Sequence, residues 1–321
     1  MKKVLSFLLL LTLLVVVFTG SAFALGNYPS KDITLVVGFG AGGATDLIVR
    51  PFAEVFAQKT GVNVIVENVT GASGAVAAQQ MLTEKPDGYR LLIGAAPNMV
   101  IMPIAANLGY SYENFTLISQ LTNTPIAIAV RSDSPYNTLD EFVAAAKEKP
   151  LTYSSGGANS TDQLAMESIA REKEVTFSHM PFDGGAAATA ALLGGHVDST
   201  VGNLPDVSPQ YDAGTLKILA VFADERLAVL PDVPCIKELG YDNMAFGTIT
   251  SIVAPAGMNE EMMKYLEEKV KETMDDPKLQ EVWNKMNVFA EYLDSEGLLQ
   301  KYTNMMNSFQ PLILKQMEGS K

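Results

Sequence analysis

Between an apolar run at residues 33–37 and an amphipathic run at 47–57, the chain places Gly38-Phe39-Gly40-Ala41-Gly42-Gly43-Ala44-Thr45-Asp46. That order reads strand, glycine turn, helix, and it restricts the chain to an α/β architecture more firmly than any other stretch. A turn of this kind leaves backbone N–H groups unsatisfied at a helix N-terminus, where the partial positive charge of the helix dipole favours an anion. An anionic ligand is therefore the first expectation.

The same alternation continues. Runs at 33–37, 62–67 and 89–93 read as strands and those at 47–59 and 75–83 as helices, a βαβαβ pattern that implies a mostly parallel sheet with helices on its faces. A second series starts near Pro125, with strands at 126–130, 151–154, 176–179, 198–201 and 216–222 and helices at 138–147, 161–173 and 186–193. One more strand is read at 248–253, followed by a helical tail at 260–274, 277–286 and 295–317 that must bury its apolar stripe on an existing domain. Two α/β units joined by short crossings predict a hinged cleft, with a ligand held between the domains at the carboxyl ends of strands.

The N-terminus reads as a secretory signal: Lys2 and Lys3, an apolar run at 4–18, then Ala22-Phe23-Ala24, with cleavage expected after Ala24. The run is shorter than the roughly 20 residues that cross a bilayer, so a periplasmic protein without a stable membrane anchor is expected. The lone Cys235 excludes an internal disulfide and most metal clusters. Losing Lys2 and Lys3 moves the net charge from -13 to -15, which makes nucleic acid and anionic lipid poor partners. A small anion remains a reasonable ligand, because screening over about 8 Å lets local amides outweigh distant surface charge.

Three glycine-containing turns carry the candidate chemistry. In the first, Gly38, Gly40 and Gly43 satisfy G-x-G-x-x-G and Glu67 ends the next strand, so nicotinamide dinucleotide binding is one reading. Export argues against it, because folded cofactor proteins use a twin-arginine signal where this chain has Lys2-Lys3. The glycines also suit simple strand-to-helix packing, with Thr45 or Asp46 stabilising the first turn, while Phe39 either faces the cleft or packs beneath the turn. The second turn, Ser154-Ser155-Gly156-Gly157-Ala158-Asn159-Ser160-Thr161-Asp162-Gln163, contains a capping box from Ser160 to Gln163, and its small polar residues exceed what a cap needs. In the third, Pro181-Phe182-Asp183-Gly184-Gly185, Asp183 either caps the helix at 186–193 or faces the cleft, where it repels a second negative charge or accepts an ammonium group. His179 and His196 stand apart from any nucleophile motif, and G-x-S-x-G, H-E-x-x-H and a Walker lysine are all missing, so neither an enzyme nor a metal or cofactor site is expected.

With those residues in view, the chain resembles the solute-binding proteins of the tripartite tricarboxylate transporter family, also called the Bug family, over nearly all of its mature length. The matching blocks are Gly38 to Asp46, Val66-Glu67-Asn68-Val69-Thr70-Gly71-Ala72-Ser73-Gly74, Pro86-Asp87-Gly88-Tyr89, Ser154-Ser155-Gly156, Leu193-Gly194-Gly195-His196-Val197-Asp198, Pro231-Asp232-Val233-Pro234 and Ala254-Pro255-Ala256-Gly257, in that order. The resemblance implies a type II periplasmic binding protein fold with two chain crossings. Domain 1 would comprise 25–123 and 247–321, domain 2 would comprise 124–246, and the signal would be 1–24. It further implies a monomeric carboxylate receptor that serves a permease with one large and one small subunit. Two loops would pinch a ligand carboxylate, through Phe39, Gly43, Ala44, Thr45 and Asp46 from one domain and Ser155, Gly156, Ser160 and Thr161 from the other. This chain departs from the family at Gly38 and Gly40, where proline is common, at Gln163, where histidine is frequent, and at Phe182-Asp183-Gly184, where a basic residue is frequent. The ligand would be a di- or tricarboxylate, an aromatic acid or an amino acid, and the last change favours a mono- or dicarboxylate, or an amino acid whose ammonium meets Asp183, over a tricarboxylate. A sensing subunit for a two-component kinase and an exported NAD-dependent enzyme are the alternatives from other classes.

Overall fold

The computed structural model describes residues 26–319 apart from 243 and 245, so the signal read at 1–24 lies outside the described residues. β1 (Ile33–Val37), α1 (Ala44–Thr60), β2 (Val64–Asn68), α2 (Ala75–Met81) and β3 (Arg90–Gly94) form the expected βαβαβ unit, with β1 parallel to both β2 and β3. β1 is the centre of this group, which is why it is apolar and buried at every position but Thr34. β2 lies on the edge and alternates between half-buried and exposed residues. A π-turn at Pro97–Ile101 and a short helix α3 (Met102–Ala105) lead into β4 (Phe115–Arg131).

The second lobe follows as α4 (Leu139–Glu148), β5 (Leu151–Ser155), α5 (Thr161–Lys173), β6 (Phe177–Pro181), α6 (Gly185–Leu193), β7 (Ser199–Asn203), α7 (Leu204–Asp212) and β8 (Leu216–Val221). The chain then returns to the first lobe through β9 (Gly247–Pro255), α8 (Glu260–Met274), α9 (Pro277–Lys285), β10 (Ala290–Leu293) and α10 (Ser295–Gly319). The strand order is β2-β1-β3-β9-β4-β7-β5-β6, with β8 and β10 also paired to β4.

β4 is the element on which this order turns. It is 17 residues long, where the sequence reading begins a strand only at 126. From Phe115 to Pro125 it pairs antiparallel with β9, and from Ile126 to Arg131 it pairs with β7 and β8. Pro125 stands opposite Gly247 where the two chain crossings run side by side. Two further elements differ from the reading. α7 contains Pro205 and Pro209, which argue against a helix in sequence, yet Pro205 falls in the first turn, where amides lack intrahelical partners. The tail also contributes a strand, because β10 adds to β4 with Ala290 opposite Thr122 and Leu293 opposite Gln120.

The stripe of the tail is buried on the first lobe as its periodicity requires. Leu266, Val270, Met274, Leu279 and Trp283 pack with Ile33, Leu35, Ile48 and Phe52 in one cluster, and the Trp283 indole N–H donates to the Ile48 carbonyl at 3.1 Å.

Candidate ligand-binding cleft

The loops that follow β1, β5, β6 and β7 meet at one point between the lobes. From the first lobe come Phe39, Gly43, Ala44, Thr45 and Pro97, and from the second Gly156, Ser160, Asp162, Gly184, Gly185, Asn203 and Asp206, with Thr248 from β9. They enclose about 30 Å³ of free space, room for a water molecule or two.

The lobes touch across this space. The Gly40 N–H donates to the Asp183 carbonyl at 3.1 Å, and the Ser73 hydroxyl donates to the Ala158 carbonyl. A methyl group at Gly40 would collide with the Asp183 carbonyl oxygen, and one at Gly185 would collide with the Asp206 carboxylate. Glycine at these two positions is what permits the close approach.

At the N-terminus of α1, Gly43 has no side chain to cap the helix, so the first amides turn to the other lobe. The Ala44 N–H donates to Asp206 Oδ1 at 2.7 Å, across 162 residues of sequence. A carboxylate oxygen therefore lies where an anion is favoured by both the free amide and the dipole. Burial pushes the Asp206 carboxyl up to about 6 despite the hydrogen bonds from Ala44 and Asn203. Burial and the nearby charge of Asp206 push Asp162 up to about 7.

The structure brings together Phe39, Gly43, Ala44, Thr45, Gly156 and Ser160 on the cavity wall. Asp46 is not on that wall. Its carboxylate accepts from the Gly42 N–H at 2.9 Å, from Arg50 at 2.8 Å and from Asn68 at 3.0 Å, while Asn68 also donates to the Phe39 carbonyl. Burial pushes the Asp46 carboxyl up, and these hydrogen bonds outweigh that and hold it below its ordinary value. Asp46 thus braces the glycine loop from behind. Ser155 is likewise off the wall, because its hydroxyl sits 2.9 Å from the Gly157 carbonyl and 2.7 Å from His179 Nε2. Burial pushes His179 down to about 4, so a neutral imidazole meets that hydroxyl.

Ser160 caps α5 by accepting from the Gln163 N–H at 3.2 Å, and Gln163 Oε1 accepts from the Asn159 N–H rather than from that of Ser160, a variant of the expected box. Thr161 is fully buried beside the wall. Phe182 packs on the second-lobe core, and Asp183 offers its main-chain carbonyl to Gly40 while its side chain is exposed. Sequence reasoning missed Asp206 and Asn203 because it placed no helix after β7. Asp162 stood within the second turn quoted from the sequence but was not named among its ligand contacts.

Two α/β lobes, two side-by-side crossings and a cleft walled by helix N-termini define a periplasmic solute-binding protein. The sequence profile of the tripartite tricarboxylate transporter family receptor matches residues 48–317, and the chain belongs to that family. A UPF0065 protein of Cupriavidus necator is 36% identical over 280 residues, covering 85% of this chain and 84% of the relative. Among solved structures, the periplasmic binding protein BugD superposes with a TM-score of 0.83 at 28% identity, covering 90% of this chain and 98% of BugD. MatC of Rhodopseudomonas palustris, solved with bound malate, superposes with a TM-score of 0.83 at 25% identity, covering 89% of this chain and all of MatC, 100%. The family and these neighbours are solute-binding proteins.

Proposed function

We propose that this receptor binds a small carboxylate in the periplasm and delivers it to a tripartite permease with one large and one small subunit. The observation that carries the reading is the Ala44 N–H at the start of α1, which already receives a carboxylate oxygen, that of Asp206, at 2.7 Å. A ligand carboxylate would meet the same amide, the neighbouring Thr45 amide and the positive end of the α1 dipole. Gly156 and Ser160 would approach it from the second lobe. MatC, with malate bound, supports a carboxylate as the ligand class.

In this reading lobe 1 comprises 25–123 and 247–321, lobe 2 comprises 124–246, and Thr124-Pro125-Ile126 with Phe246-Gly247 forms the hinge. The chain works as a monomer without catalytic chemistry, and its signal is cleaved after Ala24. Phe39 covers the ligand, while Asp46 and Ser155 act by shaping their loops. The test is a thermal-shift screen of refolded, ligand-stripped protein against dicarboxylates, tricarboxylates, aromatic acids, amino acids and NAD, since a ligand bound to the native state raises stability by mass action. A rise with one class of acid is expected. A rise with NAD alone would overturn the reading and make the turn at Gly38 to Gly43 a cofactor site.

A further inference from the structure

The cleft of this carboxylate receptor is itself acidic. Asp162 and Asp206 both line the cavity, and among the described lining residues there is neither lysine nor arginine to balance them. Their contacts are neutral donors: the Gly156 N–H reaches Asp162 Oδ2 at 3.3 Å, and the Ala44 N–H reaches Asp206. Two buried negative charges facing one small space are costly, and a ligand carrying only carboxylates would add to them.

One further polar group on the wall is an acceptor without a donor. Asn203 shares the wall with Asp206, and its Oδ1 is buried and without a partner. Thr124, 1% exposed, also has a buried hydroxyl without a partner. It stands directly opposite Thr248 in the β4–β9 ladder, and Thr248 lines the cavity. Directly opposed residues of an antiparallel pair share a face of the sheet, so Thr124 lies on the same face as Thr248. Asp183, the acid that the sequence offered for an ammonium group, points to solvent instead.

We infer that the ligand is a zwitterion, an α-amino carboxylic acid, which inserts between the Ala44 N–H and the Asp206 carboxylate. Its carboxylate takes the amides of α1, and its ammonium group takes Asp206, Asp162 and the free oxygen of Asn203. A primary ammonium has three N–H donors, which matches three acceptors. Carboxylate and ammonium on one carbon also suit a gap whose two walls, amide and carboxylate, now meet each other directly. The raised pKa values of Asp162 and Asp206 fit the same picture, since both groups would be held ionised by the arriving cation. The inference rests on the carboxylate reading above and narrows it.

The experiment compares matched pairs on the purified, ligand-stripped protein by calorimetry: aspartate with succinate, glutamate with glutarate, leucine with 4-methylpentanoate and phenylalanine with 3-phenylpropanoate, extended over the twenty amino acids. The expected result is one amino acid that binds about 100-fold or more tighter than its deamino partner. Asp162→Asn keeps the size of the side chain and should reduce the preference for that amino acid over its deamino partner about 10-fold or more; a preference that is unchanged in the variant overturns the role of Asp162. A deamino acid that binds as well as its amino partner overturns the zwitterion and leaves the carboxylate reading standing. No binding in either column overturns both. The wild-type comparison needs no variant, so a failure of Asp162→Asn to fold does not protect the proposal.

Discussion

Ala44→Pro isolates the main-chain amide on which the site depends. Ala44 is the first residue of α1, a position where proline is favoured because its amide has no intrahelical acceptor. Gly43 before it has φ -79° and ψ 170°, the extended conformation that a following proline requires. The substitution therefore removes one N–H and leaves the helix able to form. That N–H lies 2.7 Å from a carboxylate oxygen, within the range of a charge-assisted hydrogen bond. Such a bond is worth about 1.5–3 kcal/mol, which is about 10- to 150-fold in affinity. Calorimetry with an acid identified by the screen should show that loss, with the circular dichroism spectrum retained and Tm lowered by a few degrees from loss of the Asp206 contact. Ala44→Gly, which keeps the amide, should stay within about 3-fold of wild type. Affinity for the acid that survives Ala44→Pro within that same margin would refute the placement of the ligand carboxylate on α1.

Three further outcomes follow from the geometry. Gly40→Ala puts a methyl group into the Asp183 carbonyl, and should hold the lobes apart, so that small-angle scattering shows no compaction on addition of ligand while the circular dichroism spectrum is retained and Tm falls by a few degrees from loss of the contacts between the lobes. Asp46→Ala removes the brace on Gly42, Arg50 and Asn68, at a cost of about 1–3 kcal/mol and a Tm fall of a few degrees to about 10 °C; a Tm unchanged within a degree would show that the loop holds its shape unaided. The fold binds protons at Asp162 and Asp206 up to about pH 7 and 6, whereas an unfolded aspartate releases its proton near pH 3.9. Their contribution to stability is therefore full below about pH 4 and is lost as the pH rises through 6 to 7. Wild-type Tm should fall relative to Asp162→Asn across that window, and a difference that stays flat would show that the carboxylates remain solvated.

The units that could be read in the sequence are those in which one local signal decides the outcome. The glycine turn between an apolar run and an amphipathic one placed β1 and α1, with free amides at the start of the helix, whereas Phe39, Gly43, Ala44 and Thr45 were named together only through the family resemblance. The first half of β4 was hidden because it is polar and buried: Ser119, Gln120 and Thr122 have no exposed surface, while in sequence they look like the solvent side of a loop. Asp206 was hidden for a different reason. Its role is set by an amide 162 residues away, and no periodicity reports which loop of the other lobe a side chain will meet. Asp46 and Ser155 lie in the right loops yet turn their side chains away from the cavity, a choice made by Arg50, Asn68 and His179 after the chain has folded.

The position of β9 between β3 and β4 sets an order of events during synthesis. The first lobe begins at β1, but its sheet has a gap until residues 247–255 arrive, and its apolar face lacks Leu266, Leu279 and Trp283 until later still. The lobe that emerges first therefore completes its core last, and its contacts are among the longest in sequence that this chain makes. For a chain threaded through a membrane from its N-terminus, delayed closure is useful: the leading segments stay unfolded and able to pass while the trailing ones still lie on the other side.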